Sequence, residues 1–200
     1  MPAAFRYLPA CLDPPAQRDV LAAVHAVLEQ APLYRATMPK SARPLSVEMS
    51  NCGALGWYSD RQGYRYTATH PVTGRAWPAI PQPILELWRR VARYPRAPEC
   101  CLINVYRGTA RMGLHQDRDE ADFAAPVVSI SLGDTAIFRI GGTARNDPTR
   151  SLRLASGDVV VLEGRSRLAY HGIDRILPGS STLVAGGGRI NLTLRCVTAA

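Results

Sequence analysis

Lysine is almost absent from this chain of 200 residues. Lys40 is the single lysine among 24 lysine and arginine residues, and the formal net charge is +8. Arginine therefore supplies nearly all of the positive charge, and its planar guanidinium suits two-point contacts with phosphate and carboxylate groups. This balance favours a polyanionic partner, although solubility alone also accounts for it. A hydrophobic content of 46% indicates a globular chain and excludes a disordered one.

The five cysteines form no C-x-x-C pair, and their odd number does not suit a disulfide framework. We therefore expect free thiols in a reducing compartment. No stretch of 18 uninterrupted apolar residues is present, which excludes a membrane-spanning helix. The N-terminal residues also lack the cationic and long apolar regions of a signal peptide. These absences predict a cytoplasmic protein without a membrane partner.

Two helices are predicted in the first half of the chain. Asp13 is a suitable N-cap and Pro14 a suitable first helical residue, and the apolar residues that follow recur at helical spacing until Pro32. A second helix is predicted from Pro83 to Arg93, with its apolar side buried and its arginines outside. The first helix should pack its apolar stripe against a sheet.

Beyond residue 100 the pattern is β throughout, without internal repeats or a second domain. Strands of this length and spacing predict a sandwich, a barrel or a jelly roll. The runs are CLINVY, VVSISL, AIFRI, SLRL, DVVVL, RLAYH and RINLTLRC.

Residues 40–81 are rich in glycine, proline and aromatic residues, and they predict an ordered lid. Aromatic residues alternate with arginines there, a pattern suited to base stacking and phosphate contact. A local hydrophobic cluster that seals the core explains the same pattern equally well. The residues concerned are Trp57, Tyr58, Arg61, Tyr64, Arg65 and Tyr66.

A candidate metal site lies at His115 and Asp117, because residues two apart in an extended segment project to the same side. Two neutral imidazoles and one carboxylate form the facial triad of non-haem iron oxygenases. His171 is the candidate for the third ligand, at the end of the RLAYH run. His25 lies in a predicted helix and His70 in the lid, and both are better explained as structural residues.

The C-terminal strand contains a second pattern that indicates a binding site. Arg189, Asn191, Thr193 and Arg195 share one face, and apolar residues occupy the other. If the apolar face packs beneath the helices, the two arginines point inward, where leaving them unpaired costs several kcal/mol each. A small dianion with two carboxylates, such as a five-carbon diacid, would pair with them. The alternative is an edge strand with ordinary surface arginines.

The motifs NCGALGW, RQGYRY, CLINVY, LHQDRDE, VSISLGDTAIF, GGTARNDP, SRLAYHGI and RINLTLR occur in this order from about residue 46 to 195. In this combination the chain resembles the AlkB family of iron- and 2-oxoglutarate-dependent nucleic-acid demethylases. The resemblance implies one dioxygenase domain over residues 1–200, with a double-stranded β-helix (jelly-roll) core at about 99–197, flanking helices and a nucleotide-recognition lid at about 40–81. It also implies Fe(II), 2-oxoglutarate and O₂ as the reactants besides the substrate.

The resemblance implies roles for individual residues. His115, Asp117 and His171 match the iron ligands. The residues that match contacts with 2-oxoglutarate are Asn104, Tyr106, Arg189, Asn191 and Arg195. The residues that match substrate contacts are Trp57, Tyr64, Tyr66, Asp119 and Arg145.

The implied reaction is direct-reversal repair of 1-methyladenine and 3-methylcytosine in DNA, which releases formaldehyde and consumes O₂ and 2-oxoglutarate. We expect a monomer that acts on alkylated, single-stranded DNA. One alternative is the same chemistry on RNA, tRNA or protein. Another is a jelly-roll binding module with a vestigial metal site, but such a module would not need both the triad and the two arginines.

Overall fold

The computed structural model describes residues 5–199, which form two main antiparallel sheets, a separate two-stranded hairpin and two helices on one side. The helices are α1 (Pro14–Gln30) and α2 (Gln82–Val91). The strands of the N-terminal half are β1 (Arg6–Leu8), β2 (Glu48–Gly53), β3 (Gly56–Asp60), β4 (Gly63–Thr67), β5 (Cys100–Tyr106) and β6 (Met112–His115). Those of the C-terminal half are β7 (Val127–Gly133), β8 (Thr135–Ile140), β9 (Arg150–Leu154), β10 (Val159–Leu162), β11 (His171–Leu177) and β12 (Arg189–Arg195).

The larger sheet has six strands in the order β1-β10-β7-β12-β5-β2, and the smaller has four in the order β6-β11-β8-β9. Strands that are neighbours in space are mostly distant in sequence, as the non-local pairings of a jelly roll require. The predicted mostly β jelly-roll fold with flanking helices is confirmed.

Both helices cover the outer face of the six-stranded sheet. Asp13 caps α1 by accepting a hydrogen bond from the backbone N–H of Ala16 at 2.9 Å, and Pro14 begins the helix. In α2, Leu87, Trp88 and Val91 are buried as predicted. The helix ends at Val91, two residues earlier than predicted, and Arg93 beyond it has a positive φ of 52°.

Strand β12 lies in the middle of the six-stranded sheet, between β5 and β7. Ile190, Leu192 and Leu194 belong to the core that includes the helices. Because side chains alternate along a strand, the polar residues of β12 face the space between the two sheets. The interior location predicted for Arg189 and Arg195 is therefore confirmed, since both are buried.

The segment at 40–81 is not a single structural unit. Its first part contributes β2 to the edge of the six-stranded sheet, whereas β3 and β4 form a separate two-stranded hairpin. The backbone of Trp57 fixes this hairpin to the sheet, because its N–H donates to the Asn51 side chain at 3.0 Å and its carbonyl accepts from the same amide at 3.1 Å. Asn51 is fully buried.

The prediction that RLAYH is a strand ending at His171 was wrong. A short 3-10 helix occupies Gly164–Ser166, and the N–H of Ala169 donates to the carbonyl of Ser166 at 2.9 Å, which closes a turn. Strand β11 begins at His171 rather than ending there. Among residues 5–199, no helix is long and apolar enough to cross a membrane.

Candidate active site

Three side chains converge between the sheets into a candidate metal centre. His115 ends β6, Asp117 follows two residues later, and His171 opens β11 directly opposite His115 in the strand pairing. His115 Nε2 lies 3.7 Å from Asp117 Oδ1, and His171 Nε2 lies 3.8 Å from Asp117 Oδ2. The ligand atoms all lie within 4.8 Å of one another, close enough to bind one ion. The structure thus brings together the three predicted ligands.

Both imidazoles are oriented by backbone carbonyls. His115 Nδ1 lies 2.9 Å from the carbonyl oxygen of Gly113, and His171 Nδ1 lies 2.9 Å from that of Ala169. A carbonyl only accepts hydrogen bonds, so each Nδ1 carries the proton and each Nε2 offers its lone pair to the centre. Burial, together with the nearby His115, lowers the pKa of His171 to about 4 and keeps the ring neutral.

Asp117 is held as a carboxylate by a buried cation. Burial by itself raises the pKa of this acid, but the charge of Arg195 outweighs burial and holds the pKa well below its usual range. Arg195 Nη2 donates to Asp117 Oδ1 at 2.9 Å. Asp117 Oδ2 is buried and accepts no hydrogen bond from the described residues. A carboxylate oxygen and two imidazole nitrogens therefore remain free, the donor set that suits Fe(II).

The polar face of β12 lies beside this centre. Arg189 is 1% exposed, and its Nη2 donates to Ser131 Oγ at 2.9 Å. Its guanidinium also lies over the ring of Tyr106, 5.3 Å from the centroid. Asn191 donates to Ser129 Oγ at 2.8 Å, and its side-chain oxygen lies 3.5 Å from the Asn104 amide nitrogen. Burial lowers the pKa of Arg189, although arginine remains charged at any pH that the fold tolerates.

Buried donors around the cavity lack protein partners. Nε and Nη1 of Arg189 and Nη1 of Arg195 donate to no acceptor among the described residues, and Arg195 Nε has only a 3.5 Å ion-pair approach to Glu120. Unpartnered buried guanidinium groups are costly, so their presence indicates an anionic ligand. A dianion with a carboxylate at each end fits this set, and 2-oxoglutarate has that structure.

The metal cluster and the polar strand line one cavity of about 480 Å³. That volume lies within the range of small-molecule sites, about 300–1,000 Å³. Twelve of the thirteen predicted site residues line it: Trp57, Tyr64, Asn104, Tyr106, His115, Asp117, Asp119, Arg145, His171, Arg189, Asn191 and Arg195.

Aromatic and charged residues surround the cavity mouth. Trp57 and Tyr64 stack with centroids 5.7 Å apart, and the Trp57 indole N–H donates to Asp119 Oδ2 at 3.0 Å. Arg145 approaches from the opposite loop, with its guanidinium 5.8 Å from the ring centroid of Tyr170. Tyr64 is half exposed. The mouth therefore offers a flat aromatic surface, a carboxylate and a cation.

Tyr66 does not line the cavity, unlike the other predicted substrate residues. Its hydroxyl donates to Glu120, and burial raises its pKa well above the usual range. Glu120 also pairs with Arg167 at 3.0 Å and lies near Arg195. Tyr66 therefore connects the hairpin to a buried ion network beneath the metal centre. The other two histidines lie elsewhere, since His25 is exposed and His70 is buried against the carbonyl of Pro32.

Sequence reasoning missed several residues of the site. Ser129 and Ser131 carried a usable signal, because they alternate within VVSISL and so share the inward face of β7. Gln116, Glu120 and Arg167 carried none, because isolated polar residues are normally on the surface and Arg167 began the wrongly predicted RLAYH strand. Only their proximity in space shows that they support the ligands.

Comparison with known proteins agrees with this geometry. The profile described as the 2OG-Fe(II) oxygenase superfamily matches residues 4–195. The chain is 61% identical over 193 residues to an alpha-ketoglutarate-dependent dioxygenase AlkB homolog of Caulobacter vibrioides, covering 96% of this chain and 86% of that protein. It is 45% identical to the alpha-ketoglutarate-dependent dioxygenase AlkB of Escherichia coli, covering 90% and 84%.

A solved structure, that of OsALKBH1, superimposes with a TM-score of 0.81 at 30% identity, covering 98% of this chain and 97% of that one. The sequence matches span most of both partners, and the shared fold holds the triad and the polar strand around one cavity. The chain therefore belongs to the 2OG-Fe(II) oxygenase superfamily and, within it, to the AlkB family of alpha-ketoglutarate-dependent dioxygenases.

Proposed function

We propose that this dioxygenase repairs single-stranded DNA that carries 1-methyladenine or 3-methylcytosine. Its oxidative demethylation would release formaldehyde and the unmodified base. One observation carries the proposal: a single cavity combines the His115, Asp117 and His171 cluster, the unpartnered Arg189 and a mouth of Trp57 and Asp119. The first suits iron, the second a diacid and the third a cationic base.

The first role of the protein's own residues would be to bind the co-substrate. Arg189 would hold the distal carboxylate of 2-oxoglutarate, because its two unpartnered N–H groups are buried and fixed by Ser131 and Tyr106. Arg195 is placed at the other end of the strand, against the metal ligand Asp117. Because Arg195 is already paired with Asp117 whereas Arg189 has unpartnered nitrogens, one carboxylate would lie at Arg189 and the other end of the diacid at the metal centre.

His115, Asp117 and His171 would hold Fe(II) on one side and leave the opposite side for the reactants. Bound Fe(II) and 2-oxoglutarate supply the oxidation of the methyl group with O₂. Burial keeps the His171 imidazole neutral and Arg195 keeps the Asp117 carboxylate charged. Because a histidine binds a metal through a neutral nitrogen, the ligand set would carry one negative charge beside a divalent cation.

The base would enter between Trp57 and His171, which line the same cavity. Methylation at adenine N1 or cytosine N3 blocks pairing and gives the base a positive charge, so flipping costs less and stacking on an indole gains cation–π attraction. Asp119, positioned by the Trp57 N–H, would accept from the exocyclic amino group. Arg145 would contact the phosphate or base on the opposite side.

The lid role proposed for residues 40–81 rests on the β3–β4 hairpin. It carries Trp57 and Tyr64 over the cavity and is joined to the core by Asn51 and by the Tyr66 contact with Glu120. The core that it would cover corresponds to residues 99–197. Movement of this hairpin would admit and retain the nucleotide.

The test is a side-by-side assay on matched single-stranded DNA and RNA oligonucleotides with one 1-methyladenine or 3-methylcytosine. With Fe(II), ascorbate and 2-oxoglutarate, we expect stoichiometric formaldehyde and succinate from DNA, and none from the Asp117→Ala variant. Preferential turnover of RNA would assign the alternative substrate class. Succinate without formaldehyde on every oligonucleotide would contradict nucleic-acid demethylation.

We further propose that the protein acts as a monomer in the cytoplasm. All five cysteines are free, and four of them are buried. Free thiols in this number suit a reducing compartment. Size-exclusion chromatography with light scattering would test the monomer, and fractionation of cells that produce the protein would test the location.

A further inference from the structure

Gln116 lies between two metal ligands in sequence, and its side chain has a separate set of contacts. Its amide nitrogen donates to the carbonyl of Leu168 at 2.7 Å and to that of Thr143 at 3.2 Å. Leu168 precedes the ligand His171 by three residues, and Thr143 lies in the loop after β8. The Gln116 side chain thus connects the segment that carries His115 and Asp117 to the segment that leads into His171.

Arg167 makes the reciprocal connection. Its Nη1 donates to the backbone carbonyl of Asp117 at 2.6 Å, its Nε to the carbonyl of Ala125 at 2.8 Å, and its Nη2 to Glu120 at 3.0 Å. The residue is 2% exposed. Residues 116–117 and 167–168 are therefore joined in both directions, each pair donating a side chain to a carbonyl of the other.

We propose that Gln116 and Arg167 are positioning residues that set the separation of the two ligand-bearing segments. Gln116 would also fix the loop that carries Arg145, so that one amide aligns both the metal ligands and a residue at the cavity mouth. The inference rests on the proposed metal-binding role of His115, Asp117 and His171.

The chemistry of the amide explains why glutamine is required there. Two carbonyl oxygens face one nitrogen, and an amide NH₂ provides two donors. A carboxylate of the same shape only accepts, so it would repel both carbonyls and release the two segments. Partners outside the ligand set typically change metal affinity by about 10–100-fold.

The loop contacts show why Thr143 matters to the mouth. Next to it, the Ala144 N–H donates to Asp147 Oδ2 at 2.9 Å, and Arg145 Nη1 lies 3.4 Å from the carbonyl of Leu114. The loop thus contacts Leu114 in β6 and Gln116 immediately after this strand. Loss of the Gln116 contact frees the end at Thr143 and changes the position of Arg145.

The experiment is Co²⁺ titration of metal-free protein, followed by the visible absorption of the bound ion. We expect Gln116→Glu to bind Co²⁺ about 10–100-fold more weakly than the wild type and Gln116→Ala about tenfold more weakly. A negative charge beside a cation site by itself strengthens cation binding, so weaker binding by Gln116→Glu identifies the positional effect.

Gln30→Glu is the matched control, because Gln30 is exposed and donates only to the Ala26 carbonyl within α1. We expect its Co²⁺ affinity to equal that of the wild type. Amide hydrogen exchange in metal-free Gln116→Ala should be faster at 141–149 and 167–171, with the rest of the core unchanged. Arg167→Ala removes the 3.0 Å ion pair of the buried Glu120, which destabilises the fold, and is therefore unsuitable as the main test.

The outcomes separate this inference from the proposed function. Wild-type protein that binds no Co²⁺ would contradict the metal centre itself. If the wild type binds Co²⁺ and both Gln116→Ala and Gln116→Glu bind it with an affinity within twofold of the wild type, only the positioning role would be overturned. If Gln116→Glu fails to fold, the Co²⁺ affinity of Gln116→Ala is the test, and a value within twofold of the wild type would overturn the positioning role.

Discussion

At the scale of single residues, the site holds buried charge that the protein does not fully neutralise. Arg189 has one hydrogen bond to Ser131 and two buried N–H groups without a protein acceptor in the described residues. Each such group costs about 1–3 kcal/mol when it is left unsatisfied. The ligand-free fold is therefore less stable because of Arg189, and hydrogen bonds to the bound diacid would offset this cost.

Arg189→Met should separate these two effects. We expect the ligand-free variant to be more stable than the wild type by about 1–3 kcal/mol, because an apolar side chain of similar length replaces an unsatisfied cation. Its affinity for 2-oxoglutarate should fall by about 30-fold or more, the equivalent of about 2 kcal/mol. Urea unfolding of the metal-free protein and 2-oxoglutarate titration of the Mn²⁺-loaded protein measure the two quantities.

Arg153→Met on β9 is the control for that change, because it removes an exposed arginine outside the cavity. It should alter neither quantity. An Arg189→Met variant that loses stability without ligand, or retains wild-type affinity for 2-oxoglutarate, would place the diacid elsewhere.

At the scale of elements, the β3–β4 hairpin is attached to the rest of the chain near Trp57 and again at Ser59, which makes hydrogen bonds of 2.7 and 3.1 Å with the backbone of Thr37. Tyr34 donates through its hydroxyl to the Trp57 carbonyl at 2.8 Å, and Asn51 contacts both backbone groups of that residue. Tyr64 remains half exposed. This arrangement fixes the indole in place and leaves a second ring available for stacking.

Trp57→Ala should weaken binding of a methylated oligonucleotide by about 1–3 kcal/mol, the range for stacking of one base on an aromatic side chain. Affinity for 2-oxoglutarate should not change, because Arg189 and its partners lie in β12, β7 and β5. Fluorescence anisotropy with a labelled oligonucleotide and Mn²⁺-loaded protein measures the first quantity.

Trp57→Phe separates the two contributions of the indole. Phenylalanine keeps an aromatic face and removes the N–H that donates to Asp119. We expect it to retain most of the affinity and to discriminate less between methylated and unmethylated oligonucleotides. Full affinity in Trp57→Ala would show that the base does not stack on this residue.

At the scale of the whole molecule, the chain has a net charge of +8, and arginine supplies nearly all of its positive charge. Contacts between arginine and phosphate release counterions from the nucleic acid, so affinity depends on salt. The predicted consequence is a binding constant for single-stranded DNA that falls steeply as salt increases.

We expect a plot of log affinity against log salt to have a slope of about −2 to −4, as contact with about three to five phosphates of a single strand implies. Turnover of a methylated nucleoside, which has no phosphate, should vary much less over the same salt range. A slope near zero for the oligonucleotide would show that phosphate contacts contribute little.

Much of the fold and the site was predictable from local pattern. Residues two apart in an extended segment project to the same side, so H-x-D, the alternation in RINLTLR and the candidate ligand His171 taken together indicated the metal ligands and the inward arginines, although each pattern alone was weak. Helix α1 followed from its cap and apolar spacing. The extent of β11 did not follow, because the turn at 166–169 depends on backbone hydrogen bonds that residue types do not reveal.

The sequence by itself therefore determined the His115 and Asp117 pair, the polar strand and a β fold of the sandwich, barrel or jelly-roll type, since all three depend on short-range periodicity. The jelly roll and the third ligand His171 were predicted with the help of the family resemblance. Only the tertiary structure shows which residues surround the ligands and the polar strand. Glu120 and Arg167 are 47 positions apart, and Gln116 and Leu168 are 52 apart. Such contacts depend on how the two sheets close over the cavity, and no local spacing encodes that distance.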